Sequence, residues 1–177
     1  MPASRFGDYL CDTPADLALS SFTSMRQNVN LSSVGFAIFT GDVVSHDQTD
    51  QQSRALVEYE ERVAYETFKA QLGAIPVFAA LGNHDTIPSG FNEPNSFRND
   101  SQPNEMAWDY ELVSSLWQEE GWINSSTAAY AAAHYGAYAS TTKEGLRIIS
   151  INTDFWYTPN IFNVGLIYEC LNSTSRS

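Results

Sequence analysis

Two short apolar runs, each halted by a glycine and followed at once by metal-competent side chains, constrain this chain more than any other feature. The first ends Phe36-Ala37-Ile38-Phe39 and continues as Thr40-Gly41-Asp42-Val43-Val44-Ser45-His46-Asp47. The second is Pro76-Val77-Phe78-Ala79-Ala80-Leu81, continuing as Gly82-Asn83-His84-Asp85. Short apolar runs bounded by turn residues read as strands buried on both faces, as in a parallel sheet covered by helices. Between them, Gln48 to Leu72 reads as a helix, with a capping box at Thr49 and Gln52, an apolar stripe at Leu56, Tyr59, Val63, Phe68 and Leu72, and a stop at Gly73. Strand, helix, strand is a βαβ unit with a right-handed crossover, and it delivers both glycine turns to one edge of the sheet.

The remaining segments supply the cover. Thr13 is placed to cap a helix, Pro14 suits its first turn, and Ala18, Phe22, Met25 and Val29 recur at helical spacing before Asn28 and Asn30 end it. Val34 to Phe39 and Ile75 to Leu81 are the two strands. Residues 87–103, rich in Pro, Asn, Ser and Gly, read as a long loop over a site. Trp108 to Glu120 reads as a helix with Trp108, Leu112, Leu116 and Trp117 inward. Tyr135 to Ser140, a turn at residues 142–145, and Leu146 to Asn152 read as a hairpin. The expected fold is α/β, a central mixed sheet flanked by helices over residues 1–163, with residues 164–177 a divergent, unstructured tail.

The chemistry follows from the turns. An aspartate at a strand end can bridge two cations through its two oxygens, and Asp42 is the candidate. Asn83 offers a neutral amide oxygen as a further ligand. Two divalent ions so held would activate water against a phosphate ester. His84 sits beside the cluster, where it can orient the phosphate or protonate the leaving oxygen, and His46 on the first turn can hydrogen-bond the same phosphate. Gly41 and Gly82 are expected to allow close backbone approach and positive φ. Asp85 either orients His84 or is a turn residue. His134, among Ala and Tyr, reads as structural. Gly-Asp alone is more often a helix cap; it is the pairing of both turns that argues for a site.

The surface narrows the partners. A formal net charge of −12 repels nucleic-acid phosphates and anionic membranes, so phosphate would be held by metal rather than by Lys or Arg. Four Asn-x-Ser/Thr sequons, at Asn30, Asn99, Asn124 and Asn172, point to a secreted glycoprotein. The first residues carry no apolar leader run, and no apolar run is long enough to span a membrane. Cys11 and Cys170 can pair with each other or with partners outside the chain.

Gly41-Asp42 and Gly82-Asn83-His84-Asp85 resemble the second and third motifs of the calcineurin-like metallophosphoesterases. Thr40 to Asp47, Phe6-Gly7-Asp8-Tyr9 with Cys11-Asp12, the Pro88 to Phe97 loop and Ser150 to Trp156 resemble the acid sphingomyelinase branch, its fungal members above all. The similarity runs from about residue 5 to residue 163. It implies a calcineurin-like metallophosphoesterase sheet flanked by helices, two divalent metal ions of the zinc type, Asp42 as metal bridge, Asn83 as ligand, and His84 and His46 as substrate-contacting and proton-donating groups. It also implies a secreted or lysosomal setting, glycosylation, and a phospholipid or other phosphodiester substrate, sphingomyelin being cleaved to ceramide and phosphocholine. The family's first Asp-x-His motif and its later Gly-His and Gly-His-x-His motifs are absent. The chain therefore reads as a partial catalytic domain, incomplete at both ends and expected neither to hold a metal pair tightly nor to turn over by itself. A non-catalytic glycoprotein of the same fold and another phosphoesterase of the superfamily are the alternatives.

Overall fold

Ala37–Phe39 (β1) and Val77–Ala79 (β2) pair in parallel, with Phe39 opposite Ala79, across the helix Arg54–Leu72 (α2). The βαβ unit expected from the apolar runs is thus present in this computed structural model, which describes residues 4–48, 50–94 and 104–163. Before it comes Ala15–Asn28 (α1); after it come Ala107–Glu119 (α3), Ser125–Ala133 (α4) and the antiparallel hairpin of Tyr138–Thr141 (β3) and Arg147–Ser150 (β4). The architecture is mixed α/β.

The single mixed sheet expected from the sequence resolves instead into two two-stranded ladders among the described residues. The reason lies at Ala79. Its carbonyl accepts from the Tyr138 hydroxyl at 2.9 Å and from Ser150 Oγ at 3.0 Å, so side chains join the ladders where backbone amides would otherwise do so. The strand β1 is also shorter and less covered than expected. Ile38 is 65% exposed, because its face has no helix over it among the described residues.

The helix α2 begins later than the capping box implied. Ser53 Oγ accepts from the Leu56 amide at 3.2 Å and caps it, while the Gln52 side chain donates to the Asp47 carbonyl; Thr49 lies outside the described residues. Its buried face is also rotated from the expected stripe. Val57, Glu61 and Tyr65 point inward, while Tyr59 and Val63 are exposed. The turn of the helix puts the Tyr65 ring against Phe39, Trp117 and Trp122, all at edge-on geometry that aromatic quadrupoles favour.

At α1, Pro14 occupies the cap position and no side chain, Thr13 included, makes a capping bond. Its expected stripe is half-buried at Ala18, Phe22 and Met25, with Phe22 meeting Phe68 at 5.8 Å, but Val29 is exposed. In α3 the inward face centres on Tyr110, Val113 and Trp117 with Leu116, and Trp108 instead lies half-buried under the Arg54 guanidinium. The α4 helix was not anticipated. Its alanine run shows no apolar face, yet Asn124 Oδ1 accepts from the Thr127 amide at 2.9 Å and starts it, and Ala128 and Ala131 bury against the core. The expected tail, residues 164–177, lies outside the described residues.

Candidate functional site

Parallel register sets the site. Beyond Phe39 and Ala79 the two chains leave the ladder side by side, Ala80 N–H donating to the Phe39 carbonyl at 2.9 Å. Gly41 (φ +85°) and Asp42 (φ +63°) then turn through the left-handed region, which only the first adopts without strain. The two turns meet at backbone contact. A Cβ on Gly41 would lie 2.0 Å from the Gly82 nitrogen, and one on Gly82 would lie 2.3 Å from Asp42 Oδ1. Gly82 does not have positive φ, so the expectation of a left-handed turn there is corrected: glycine is required at 82 by space alone. Gly82→Ala is expected to cost about 3 kcal/mol, the upper end for overpacking a filled site. Urea denaturation of the purified variant measures it, and a midpoint equal to wild type would contradict the contact.

Asp85 fastens these turns together. Its carboxylate is fully buried; Oδ2 accepts from the amides of Asp42 (2.9 Å) and Gly82 (2.8 Å), and Oδ1 from that of Val43 (2.6 Å). Burial pushes its pKa above the ordinary carboxylate value, against the pull of these three amides. Of the two roles read from sequence, the turn role is the one the geometry carries. The turn it serves spans both loops.

Asp42 is exposed, with Oδ1 accepting from the His84 amide at 3.0 Å, and Oδ2 has no hydrogen-bond donor among the described residues. The Asn83 amide nitrogen donates to the Tyr157 hydroxyl at 3.4 Å, so its oxygen is the atom free to act as a ligand. Both candidate ligands therefore sit at the same end of β1 and β2. Their chemistry, one anionic and one neutral oxygen donor, suits a hard or borderline divalent cation. Among the described residues no group of three or more His, Cys, Asp or Glu side chains is close enough to hold an ion, so the fit is to part of a ligand set.

The imidazoles of His46 and His84 lie together, ring centroids 4.0 Å apart. His84 Nδ1 is 3.2 Å from Ser89 Oγ, and that hydroxyl also reaches the Asn83 carbonyl. His46 meets Asp12 twice: its amide donates to Oδ2 at 2.7 Å, and Nδ1 lies 2.6 Å from Oδ1. Burial pushes the Asp12 pKa up, but the hydrogen bonds from the His46 main chain and ring outweigh it and hold it below the ordinary value. Asp12, Ser89 and Tyr157 were not singled out as site residues: nothing local to Asp12 or Tyr157 signals contacts so distant in sequence, and Ser89 lies in a loop whose residues show no period. His134 lies elsewhere, stacked on Tyr130 at 3.7 Å with Nδ1 against the Tyr130 carbonyl, at the end of α4.

Behind the turns, the long loop is described as far as residue 94 and is pinned by a buried polar network. Asn92 Oδ1 accepts from Tyr110 and Asn152, its Nδ2 donates to Asp154, and Asn160 donates to the Asn92 carbonyl. Asp154 is pushed up to about 6 by burial and by the charges of Asp85 and Asp42. Of the sequons, Asn30 and Asn124 are exposed, each with Oδ1 occupied in a local turn; Asn99 and Asn172 lie outside the described residues. Cys11 is exposed and unpaired among the described residues, which do not include Cys170. No described helix is long and apolar enough to cross a membrane.

Comparison with known proteins gives the following. The family described as calcineurin-like phosphoesterase matches residues 19–166. The chain is 33% identical over 172 residues to sphingomyelinase phosphodiesterase C of Dictyostelium discoideum, covering 97% of this chain and 34% of that protein. It is 33% identical over 177 residues to cyclic GMP-AMP phosphodiesterase SMPDL3A of Homo sapiens, covering 96% of this chain and 36% of that protein. It is 30% identical over 168 residues to acid sphingomyelinase-like phosphodiesterase 3b of Mus musculus, covering 93% of this chain and 33% of that protein. The chain thus spans about a third of the length of these curated relatives.

Proposed function

The chain belongs to the calcineurin-like phosphoesterase family, and from that premise we propose that its two glycine turns form part of the centre of a metal-dependent phosphodiester hydrolase of the sphingomyelin phosphodiesterase type. The observation that carries this reading is the meeting of Asp42 and Asn83, through Gly82 and the His84 amide, at one end of a parallel strand pair. Asp42 and Asn83 would hold divalent cation, zinc by family resemblance. When bound, such ions withdraw charge from phosphoryl oxygens and lower the pKa of a neighbouring water. The residues of the chain do the rest. The Asp85 clamp keeps both ligand-bearing turns in register, and the neighbouring His46 and His84 rings would supply a proton to the leaving oxygen, a role their 4.0 Å pairing supports. The net charge of −12 favours a substrate gripped by metal over one gripped by basic side chains. The exposed Asn30 and Asn124 suit glycosylation and a secreted or lysosomal setting.

The test is zinc titration by calorimetry together with hydrolysis of bis(p-nitrophenyl) phosphate and of the monoester p-nitrophenyl phosphate in excess zinc. Weak zinc binding that disappears in Asp42→Ala and in Asn83→Ala is expected, with little or no turnover by this chain alone and any turnover favouring the diester. Binding unchanged in both variants, with neither ester cleaved, assigns the scaffold to a non-catalytic glycoprotein. That second reading draws on the small ligand set among the described residues. Two tightly bound equivalents per chain would overturn the view of that set as partial.

A further inference from the structure

We propose that Asp12 is a positioning residue that fixes the ring orientation and tautomer of His46, so that Nδ1 carries the hydrogen and Nε2 is turned toward His84 and the glycine turns. The inference rests on the proposed hydrolase for its purpose, but not for its geometry. A carboxylate accepts and does not donate when ionised, so the 2.6 Å contact of Asp12 Oδ1 with His46 Nδ1 requires the hydrogen on Nδ1. The second oxygen takes the His46 amide at 2.7 Å. One carboxylate thus grips the main chain and the ring of the same residue. That double attachment fixes the side-chain torsions, where a lone ion pair between exposed groups would leave them free. The imidazole is held from a segment distant in sequence, ahead of α1, and faces the His84 ring at 4.0 Å.

The chemical consequence is one of lone pairs. An imidazole with Nδ1–H offers Nε2 as its acceptor, and in the protonated ring Nε2–H is the remaining donor after Asp12 has taken Nδ1–H. Either way the reactive nitrogen is Nε2, the atom on the side away from Asp12. His84 is engaged at its own Nδ1 by Ser89, so in each of the two neighbouring rings Nε2 is the nitrogen left without a protein partner among the described residues.

Nitrogen-15 NMR of the histidine rings in the full 177-residue chain tests this directly. It is done in chelator and at alkaline pH, where rings are neutral. A free imidazole prefers the Nε2–H form, so Nδ1–H at His46 would be specific to the contact. Wild type is expected to show His46 mainly as Nδ1–H. Asp12→Asn keeps an oxygen for the His46 amide and places an NH2 group against Nδ1, so the nitrogen pattern should invert to Nε2–H with melting behaviour retained. Asp12→Ala should relax the ring to the free-imidazole mixture. An Nε2–H ring in wild type, or an unchanged pattern in folded Asp12→Asn, overturns the proposal. Should the variants fail to fold, the wild-type pattern alone decides. None of these readouts needs catalysis, so zinc binding left unchanged in Asp42→Ala and Asn83→Ala, found together with the Nδ1–H ring, would sink the hydrolase and leave the Asp12 assignment standing.

Discussion

Asp85→Ala is expected to abolish cooperative folding near room temperature. The carboxylate is fully buried and accepts three main-chain amides drawn from two turns. Hydrogen bonds to a charged group contribute about 1.5–3 kcal/mol each, and a buried donor left unsatisfied costs a comparable amount. Removing all three is worth on the order of 5 kcal/mol or more, against a total stability of about 5–15 kcal/mol for a typical domain. Asp85→Asn is the sharper experiment, because it preserves shape. The amide has one oxygen for three donors and sets its own NH2 against at least one of them, so it should still lose about 3 kcal/mol. Thermal and urea unfolding followed by circular dichroism measure both. Loss of less than about 1 kcal/mol in Asp85→Ala would mean the amides find water, and the clamp would carry no stability.

The second large effect is on pH. Both oxygens of Glu61, on the buried face of α2, and one oxygen of Asp109 on α3 have no hydrogen-bond partner, and both residues are shielded from solvent. Burial pushes Glu61 well above the ordinary carboxyl value, helped by the charges of Asp109, Asp85 and Glu58. Burial likewise pushes Asp109 up, helped by Asp85 and Asp154. In the folded chain these acids keep protons that the unfolded chain has already released above about pH 4. The folded form then binds more protons, so stability is greatest on the acid side and falls as pH rises through the raised folded values. One proton lost across two pH units corresponds to up to about 3 kcal/mol. Urea midpoints should therefore fall between pH 5 and pH 7. Glu61→Met, which removes an unpaired buried carboxyl at similar volume, should flatten that slope and raise the melting temperature at pH 7.5 by several degrees. A wild-type slope retained in Glu61→Met would show that other groups set the pH response.

The βαβ unit and the meeting of its two turns were legible because their signals are local: an apolar run, a glycine, a ligand. What escaped is instructive. Glu61 was excluded from the inward stripe of α2 because a charge counts as polar in any periodicity, so the predicted face was rotated toward Tyr59 and Val63. The α4 helix was invisible because alanines on every side give no face to detect. Asp85 and Asp12 were readable as residues but not as connectors. Asp85 meets amides on the other strand's turn, and Asp12 meets His46 from beyond α1. Gly82 showed the limit of residue type itself. Glycine at a turn suggests unusual torsions, but here its missing Cβ matters for the space it leaves to Asp42.

Two hydroxyls at the Ala79 carbonyl, rather than a run of paired amides, make the joint between the parallel pair and the hairpin. Hydroxyl bonds swivel, whereas a ladder is fixed in register. The joint therefore imposes no amide register between the hairpin and the strands that lead to Asp42 and Asn83; it rests on the orientation of two side chains, one of them, Tyr138, buried against Trp117.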